Sequence, residues 1–234
     1  LWPGGYTFLY DDGLFRPSTD TFLLGSFPRL RRGMAVCELG AGTGLLSLLL
    51  LAREPELTVT GVELQPQACA LFRRTAEENG LQGRLRCLEG DLRQGLLPPG
   101  QFRLAVANPP YFPPDAGAVA PDAARRTARA ETDCTLSQLC AAAARALTWG
   151  GSFCLVHRPD RLADVLEELR RVRLEPKRLR FVHHTAAAPP SLFLLEARLG
   201  GGVGLTVEPP LLLHGPDGGE TEDVRRAYFR DKEE

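Results

Sequence analysis

Met34-Ala35-Val36-Cys37-Glu38-Leu39-Gly40-Ala41-Gly42-Thr43-Gly44, running into the leucine-rich segment 45–53, is the stretch on which the fold turns. A short apolar run that ends in an acid, then a glycine turn, then a helix puts bare backbone at the carboxyl end of a parallel strand. A ligand can approach closely there because no side chains stand in its way. The glycine spacing narrows the choice of ligand. The dinucleotide pattern GxGxxG needs glycine at position 45, and that position is Leu45.

GxGxG behind an acid instead suits S-adenosylmethionine, which has no pyrophosphate for a helix N-terminus to hold. The apolar run 57–62 ends at Glu63. An acid at the end of the second strand of a nucleotide-binding half can take both ribose hydroxyls, and a surface salt bridge is the alternative. Residues 66–79 read as a helix with Pro66 in its first turn and Gly80 as its stop. A third strand over 84–89 is closed by Gly90-Asp91-Leu92. Asp91 is placed either to accept from the adenine amino group, with Leu92 packed on the ring, or simply to form the turn.

The fourth strand, 102–107, delivers Asn108-Pro109-Pro110-Tyr111 to the same sheet edge. Standing alone, that sequence also describes a strand that stops at a proline turn. Behind a glycine loop it suits transfer of a methyl group to a nitrogen conjugated with a ring or carbonyl. Such a nitrogen is a poor nucleophile. If the Asn108 oxygen and the Pro109 carbonyl accept its N–H groups, the lone pair leaves conjugation, and Tyr111 can stack on the ring. Pro109 and Pro110 stiffen the turn and remove competing backbone donors.

Elsewhere the chain supplies supports. The opening, 1–15, reads as a small hairpin over the cofactor site. Arg16-Pro17-Ser18-Thr19-Asp20 precedes a short helix, where Ser, Thr or Asp acts either as a cap or as a cofactor contact. The segment 112–132, rich in Pro, Ala and Arg, has the length of a lid or binding loop. Arg125, Arg126 and Arg129 give it a basic face suited to a phosphate-bearing substrate, or else mark a solvated helix start. Residues 136–147 read as helix, 149–151 as a turn, 152–157 as a fifth strand and 161–173 as an amphipathic helix. Two more strands, 179–184 and 192–199, precede an apolar appendix, 205–213, and a closing helix, 220–230. His183 and His184 have no nearby acids or cysteines in sequence and read as structural.

The 234 residues suit one domain, expected to comprise a covering segment 1–33, a catalytic core 34–199 and an appendix 200–234. No apolar run is long enough to cross a bilayer, so a cytoplasmic protein without membrane contact is expected. The chain opens at Leu1, which leaves room for a few trimmed residues. Six cysteines without a CxxC pair read as buried free thiols in a reducing compartment, with no metal. A net charge of −1 gives no general pull towards nucleic acid, so an RNA partner has to be held by a local patch. Arginine carries nearly all the positive charge, since Lys177 and Lys232 are the only lysines.

Taken together, the chain resembles class I S-adenosylmethionine-dependent methyltransferases over nearly its whole length. Within that class it is similar to the bacterial tRNA adenine N-6 methyltransferases that act on valine tRNA. The residues that carry the likeness are Phe15-Arg16-Pro17-Ser18-Thr19-Asp20-Thr21-Phe22-Leu23-Leu24, Glu38 to Gly44, Asn108 to Tyr111, Ala128-Arg129-Ala130-Glu131 and the stretch 175–183. The resemblance implies an α/β fold: a doubly wound, mostly parallel seven-stranded Rossmann-like sheet with its last strand antiparallel. It implies S-adenosyl-L-methionine held by Asp20, Glu38, Gly40, Gly42, Gly44, Glu63, Asp91 and Leu92, and a monomer acting on tRNA or another structured RNA. Arg125, Arg126 and Arg129, with Arg178 and Arg180, would carry the RNA. Arg103 departs from the family, which often has Asp there.

Two relatives of that chemistry stay open, methylation of a release-factor glutamine amide and of a guanine exocyclic amine in rRNA. The former enzymes generally carry a helical domain before the glycine loop, and fewer than forty residues precede Gly40. A non-catalytic RNA- or partner-binding module on the same fold is the reading from another class, and the intact acids and Asn108 speak against it.

Overall fold

The computed structural model describes residues 1–232 apart from 3, 12, 13, 15, 16 and 110–133. Among them β1 (Ala35–Leu39), β2 (Thr58–Glu63), β3 (Leu85–Glu89), β4 (Phe102–Ala107) and β5 (Leu147–His157) pair in parallel. The antiparallel β7 (Pro190–Leu199) lies between β5 and β6 (Leu174–His183). The order is β3-β2-β1-β4-β5-β7-β6. This is the expected α/β arrangement with one antiparallel strand near the edge. Among the described residues the sheet has nine strands rather than seven, because β8 (Thr206–Val207) and β9 (Leu211–Leu212) from the appendix add in parallel to β6. Two short strands over an otherwise open edge leave little backbone for another chain to pair with.

Strands buried on both faces explain the continuous apolar runs. Along β4, Leu104 and Val106 enter one core, with α1 (Thr19–Ser26), α2 (Leu45–Arg53), α3 (Pro66–Glu78) and α6 (Glu222–Ala227). Ala105 and Ala107 enter the other, with α4 (Leu136–Ala146) and α5 (Leu162–Arg171). The cysteines are all free and five of the six are buried; burial raises the Cys140 thiol to about 12. Among the described residues no helix is long and apolar enough to cross a membrane.

Two arginines close the end of α1. Arg53 donates to the carbonyls of Gly25 and Pro28 (2.6 and 3.0 Å), and Arg178 donates to that of Phe27 (2.7 Å). Cations there offset the partial negative charge of a helix C-terminus. Arg178 also bonds Glu196 and Glu208 and lies 3.9 Å over the Phe27 ring, while Arg180 bonds Asp223 at 2.6 Å. The expectation that these two offer free charge to RNA is therefore corrected: internal carboxylates engage both, and they fasten the appendix to the sheet.

Two further expectations change. Trp149-Gly150-Gly151 is no turn but part of β5, where the register against β4 breaks between Phe102 and Leu104 and Gly150 takes φ 75°. A glycine pair absorbs such an irregularity within a strand. The opening segment forms no strand among its described residues. It is a strap instead: Thr7 N donates to Asn79 Oδ1 (2.8 Å) and Asn79 Nδ2 to Thr7 O (2.7 Å), while Trp2 stacks on Phe229.

Phe72 of α3 is fully buried where the glycine loop meets β2. A Cβ at Gly44 would come within 2.6 Å of its ring, and one at Gly61 within 2.8 Å. Phe72→Ala should therefore lower unfolding free energy in urea by about 3–5 kcal/mol, the range for deleting a buried aromatic ring. A loss below about 1 kcal/mol would show that this wedge does not set the packing.

Candidate active site

The turn after β1 is built from backbone donors that need acceptors. Gly40 N and Ala41 N both donate to Val62 O (3.0 Å each), and Gly42 N donates to Glu63 Oε2 (2.8 Å). Gln65 N holds the other oxygen of Glu63 at 2.9 Å. Glu63, which is 6% exposed, thus shapes the loop as well as facing the same edge. Gly40 has φ 73° with open space where a Cβ would sit, so a ligand can rest against its backbone.

Glu38 lies 3% exposed at the end of β1. One of its oxygens accepts from Ser47 N at 3.0 Å and from the Ser47 hydroxyl. Burial pushes its carboxyl up to about 8; the Ser47 bonds oppose that rise and nearby Glu63 adds to it.

Asn108 follows β4 at the same level. Its Nδ2 donates to Thr21 Oγ1 at 2.9 Å, and Thr21 Oγ1 lies 3.1 Å from Ser18 Oγ. Ser18 is the N-cap residue of α1, yet its side chain does not cap the helix. The hydroxyls of this segment instead form a short chain leading to the Asn108 amide. Phe8, Pro17, Ser18, Thr21, Glu38, Gly40 and Asn108 border one cavity of about 160 Å³. That is below the roughly 300–1,000 Å³ of a complete small-molecule site. It is the part between α1, the glycine loop and Asn108.

The remaining expected residues divide. Gly42 borders the cavity, Pro109 is partly buried beside Asn108, and Gly44 starts α2 in the left-handed region against Phe72. Asp20, in the first turn of α1, is not among the lining residues. Asp91 caps the short 3-10 turn 92–94, and both its oxygens bond Arg93, whose guanidinium holds the carboxyl below its ordinary range. Gly90 N donates to Glu63 O (2.8 Å), so Asp91 still stands at this edge. Leu92 borders a separate small hollow with Val62 and Leu97. Pro110, Tyr111, Arg125, Arg126 and Arg129 lie outside the described residues. Thr21 is the residue sequence reasoning missed. It is 87 positions from Asn108, and within its own helix it looked like any other polar side chain.

The grooves with more room, of about 310 and 350 Å³, lie away from this edge and are lined in part by arginines. In an open α/β sheet, ligands bind outside the carboxyl ends of the strands, which is where the Asn108 cavity sits. Among the described residues no group of three or more His, Cys, Asp or Glu gathers as a metal site.

Residues 17–175 match the family model for the methyltransferase small domain. The tRNA1(Val) (adenine(37)-N6)-methyltransferase of Yersinia enterocolitica is 32% identical over 173 residues, 71% of this chain and 68% of that protein. The enzyme of the same name from Yersinia pestis is 32% identical over 160 residues, 65% and 64% of the two chains. The chain thus spans about two thirds of the length of these relatives. Among solved structures, a predicted O-methyltransferase from Agrobacterium tumefaciens superposes with a TM-score of 0.73 at 21% identity, covering 89% of this chain and 96% of that one. The geranyl diphosphate C-methyltransferase of Streptomyces coelicolor, solved with S-adenosyl-L-homocysteine, gives 0.54 at 13% identity, covering 76% and 75%. At these identities the structures speak for the fold.

Glu38 generates a test of its own. Folded, its carboxyl keeps a proton up to about 8, whereas the unfolded chain releases it near 4.5. Stability should then fall as pH rises across that window, and Glu38→Gln should flatten the fall. Urea unfolding at a series of pH values reads this. Wild-type stability that holds level or climbs relative to the variant across the window would mean that the carboxyl is ionised throughout.

Proposed function

Since the chain belongs to the methyltransferase small-domain family, we propose that it uses S-adenosylmethionine to methylate the exocyclic amino group of adenine in tRNA. The observation that carries this is the Asn108 amide, fixed by Thr21 at the mouth of the glycine-loop cavity. The names of the Yersinia relatives support the adenine and the tRNA.

The residues present fit the cofactor. Gly40 offers open backbone, Gly42 and the buried acid Glu38 line the same cavity, and the buried acid Glu63 stands at the end of the next strand, bonded to Gly42 N. On this reading Glu63 keeps lone pairs for ribose hydroxyls after accepting two backbone N–H groups, since a carboxylate has about four acceptor sites. When bound, S-adenosylmethionine supplies an electrophilic methyl group carried on sulfur. The segment 1–33 acts as the cover, because Phe8, Pro17, Ser18 and Thr21 border the cavity from that side. Asp91 contributes to adenine only if Arg93 yields one of its oxygens.

Asn108 does the positioning. With its Nδ2 tied to Thr21, the amide oxygen has a set direction from which to accept an N–H of the target amine. The Pro109 carbonyl takes the other, and the nitrogen lone pair is withdrawn from the ring and presented for attack. No strong base is required, because orientation supplies the main advantage. The target base has to leave its stack, which costs a few kcal/mol unless it already lies in a loop. We read the protein as a cytoplasmic monomer in this role.

Radiolabelled methyl transfer onto bulk unmodified tRNA, followed by nucleoside analysis, tests the reading. N6-methyladenosine is expected; label on guanine or in a glutamine side chain would reassign the acceptor. Asn108→Ala should retain cofactor binding and lose about 10²–10³ in turnover. Thr21→Val, which removes one neutral hydrogen bond worth about 0.5–1.5 kcal/mol, should lower turnover roughly 2- to 10-fold at unchanged cofactor affinity. Full activity in both variants would remove Asn108 from the chemistry.

A further inference from the structure

The net charge of −1 hides an uneven distribution. At the amino ends of the strands, opposite Asn108, a groove of about 350 Å³ is lined by Arg29, Arg31, Arg103, Lys177, Arg178 and Arg198. Among the described residues only two carboxylates border it, Glu196 and Glu208, and Arg178 bonds both (3.0 and 3.3 Å). Six cations against two acids leave an excess of four. Lys177 and Arg198 are held by neutral carbonyls, those of Gly202 (2.8 Å) and Gly150 (3.0 Å). Arg29, Arg31 and Arg103 are exposed and have no carboxylate partner among the described residues.

Elsewhere on the surface many arginines face a carboxylate, as in Arg84 with Glu56, Arg171 with Glu167 and Arg226 with Glu222, and those without one among the described residues, such as Arg74 and Arg86, line none of the cavities described. Gathering unmatched cations around one groove works against the compact state through their mutual repulsion, so stability does not explain it. A polyanion that settles among them does. Among the described residues the groove's lining holds no aromatic ring, and the exposed Trp149 borders a neighbouring hollow with Arg173 5.1 Å over it. Phosphates rather than bases are what this surface can hold.

Building on the tRNA reading above, we propose that this groove binds the phosphate backbone of the RNA substrate at a point remote from the methylated nucleotide. From Arg103 to Asn108 the distance along β4 is about 17 Å, taking 3.3 Å per residue. α1 and the three residues after it bridge the same two places, with Ser18 at the cavity and Arg29 at the groove. A folded RNA can occupy both places at once. Contacts of this kind set register and orientation without reading sequence.

The test uses the full chain with Arg29, Arg31 and Arg103 changed together to Gln. These side chains have no carboxylate partner to lose among the described residues, and their removal relieves repulsion, so the thermal midpoint should hold or rise. Binding of unmodified tRNA at low salt should weaken roughly 10- to 100-fold, and the slope of log affinity against log salt should shrink by about three. Affinity for S-adenosylmethionine, and turnover at saturating tRNA, should stay as in wild type. An unchanged slope and affinity in a variant that still methylates tRNA would overturn the groove and leave the proposed function standing. A wild type that neither binds nor methylates tRNA would instead fail the proposed function, and the groove's partner would go with it. Retention of polyglutamate that depends on these arginines, beside tRNA binding that does not, would give the groove to an acidic protein and also overturn the proposal.

Discussion

The ends of β1 and β2 are tied by backbone N–H groups that have nowhere else to go. Gly40 and Ala41 donate to Val62 O, and Gly42 donates to the Glu63 carboxylate. A buried donor left unmatched costs about 1–3 kcal/mol, so the two buried ones, those of Ala41 and Gly42, hold the turn to one shape. The cavity follows from that shape. It opens where Gly40 has no side chain, it is floored by Glu38, and it is reached by whatever the neighbouring strand β4 delivers. Phe72 works from behind, filling the space that Gly44 and Gly61 leave.

The two ends of the sheet then divide the labour. Among the described residues, the cavity at the carboxyl ends is bordered by hydroxyls, a buried acid and an amide and by no arginine or lysine. The amino ends carry arginines in excess. β4 joins them, with Arg103 at one end and Asn108 at the other. Arg178 lets both exist, since it absorbs two carboxylates that would otherwise neutralise the groove and closes the α1 helix whose other end holds Asn108.

Much of this was legible from residues alone, and for a physical reason. Strands buried on both faces give unbroken apolar runs, so 102–107 and the helix 45–53 could be bounded to the residue. Acids and glycines that end such runs stand out against them, which is how Glu38, Glu63 and Asn108 could be placed at one edge. What stayed hidden depends on long-range pairing. Thr21 meets Asn108 across 87 positions, and Thr7 meets Asn79 across 72. The two-residue strands β8 and β9 carry no periodicity to read, and Trp149-Gly150-Gly151 looks the same in a turn as in an irregular strand. Arg178 and Arg180 misled because a charge run does not reveal that acids wait for it on another element.

Asn79 holds the strap by its main chain, giving and taking one hydrogen bond with Thr7 as a neighbouring strand would. Such a grip does not distinguish one side chain from another. What keeps the strap from sliding is aromatic: Trp2 lies on Phe229 at one end and Phe8 enters the cavity wall just past the grip. A slip by a single residue would present the grip equally well yet turn Phe8 away from the cavity. The side chain at Thr7 is therefore free to drift, whereas Gly5, where a Cβ would run into the Trp2 ring, and the residue count between the two rings are not.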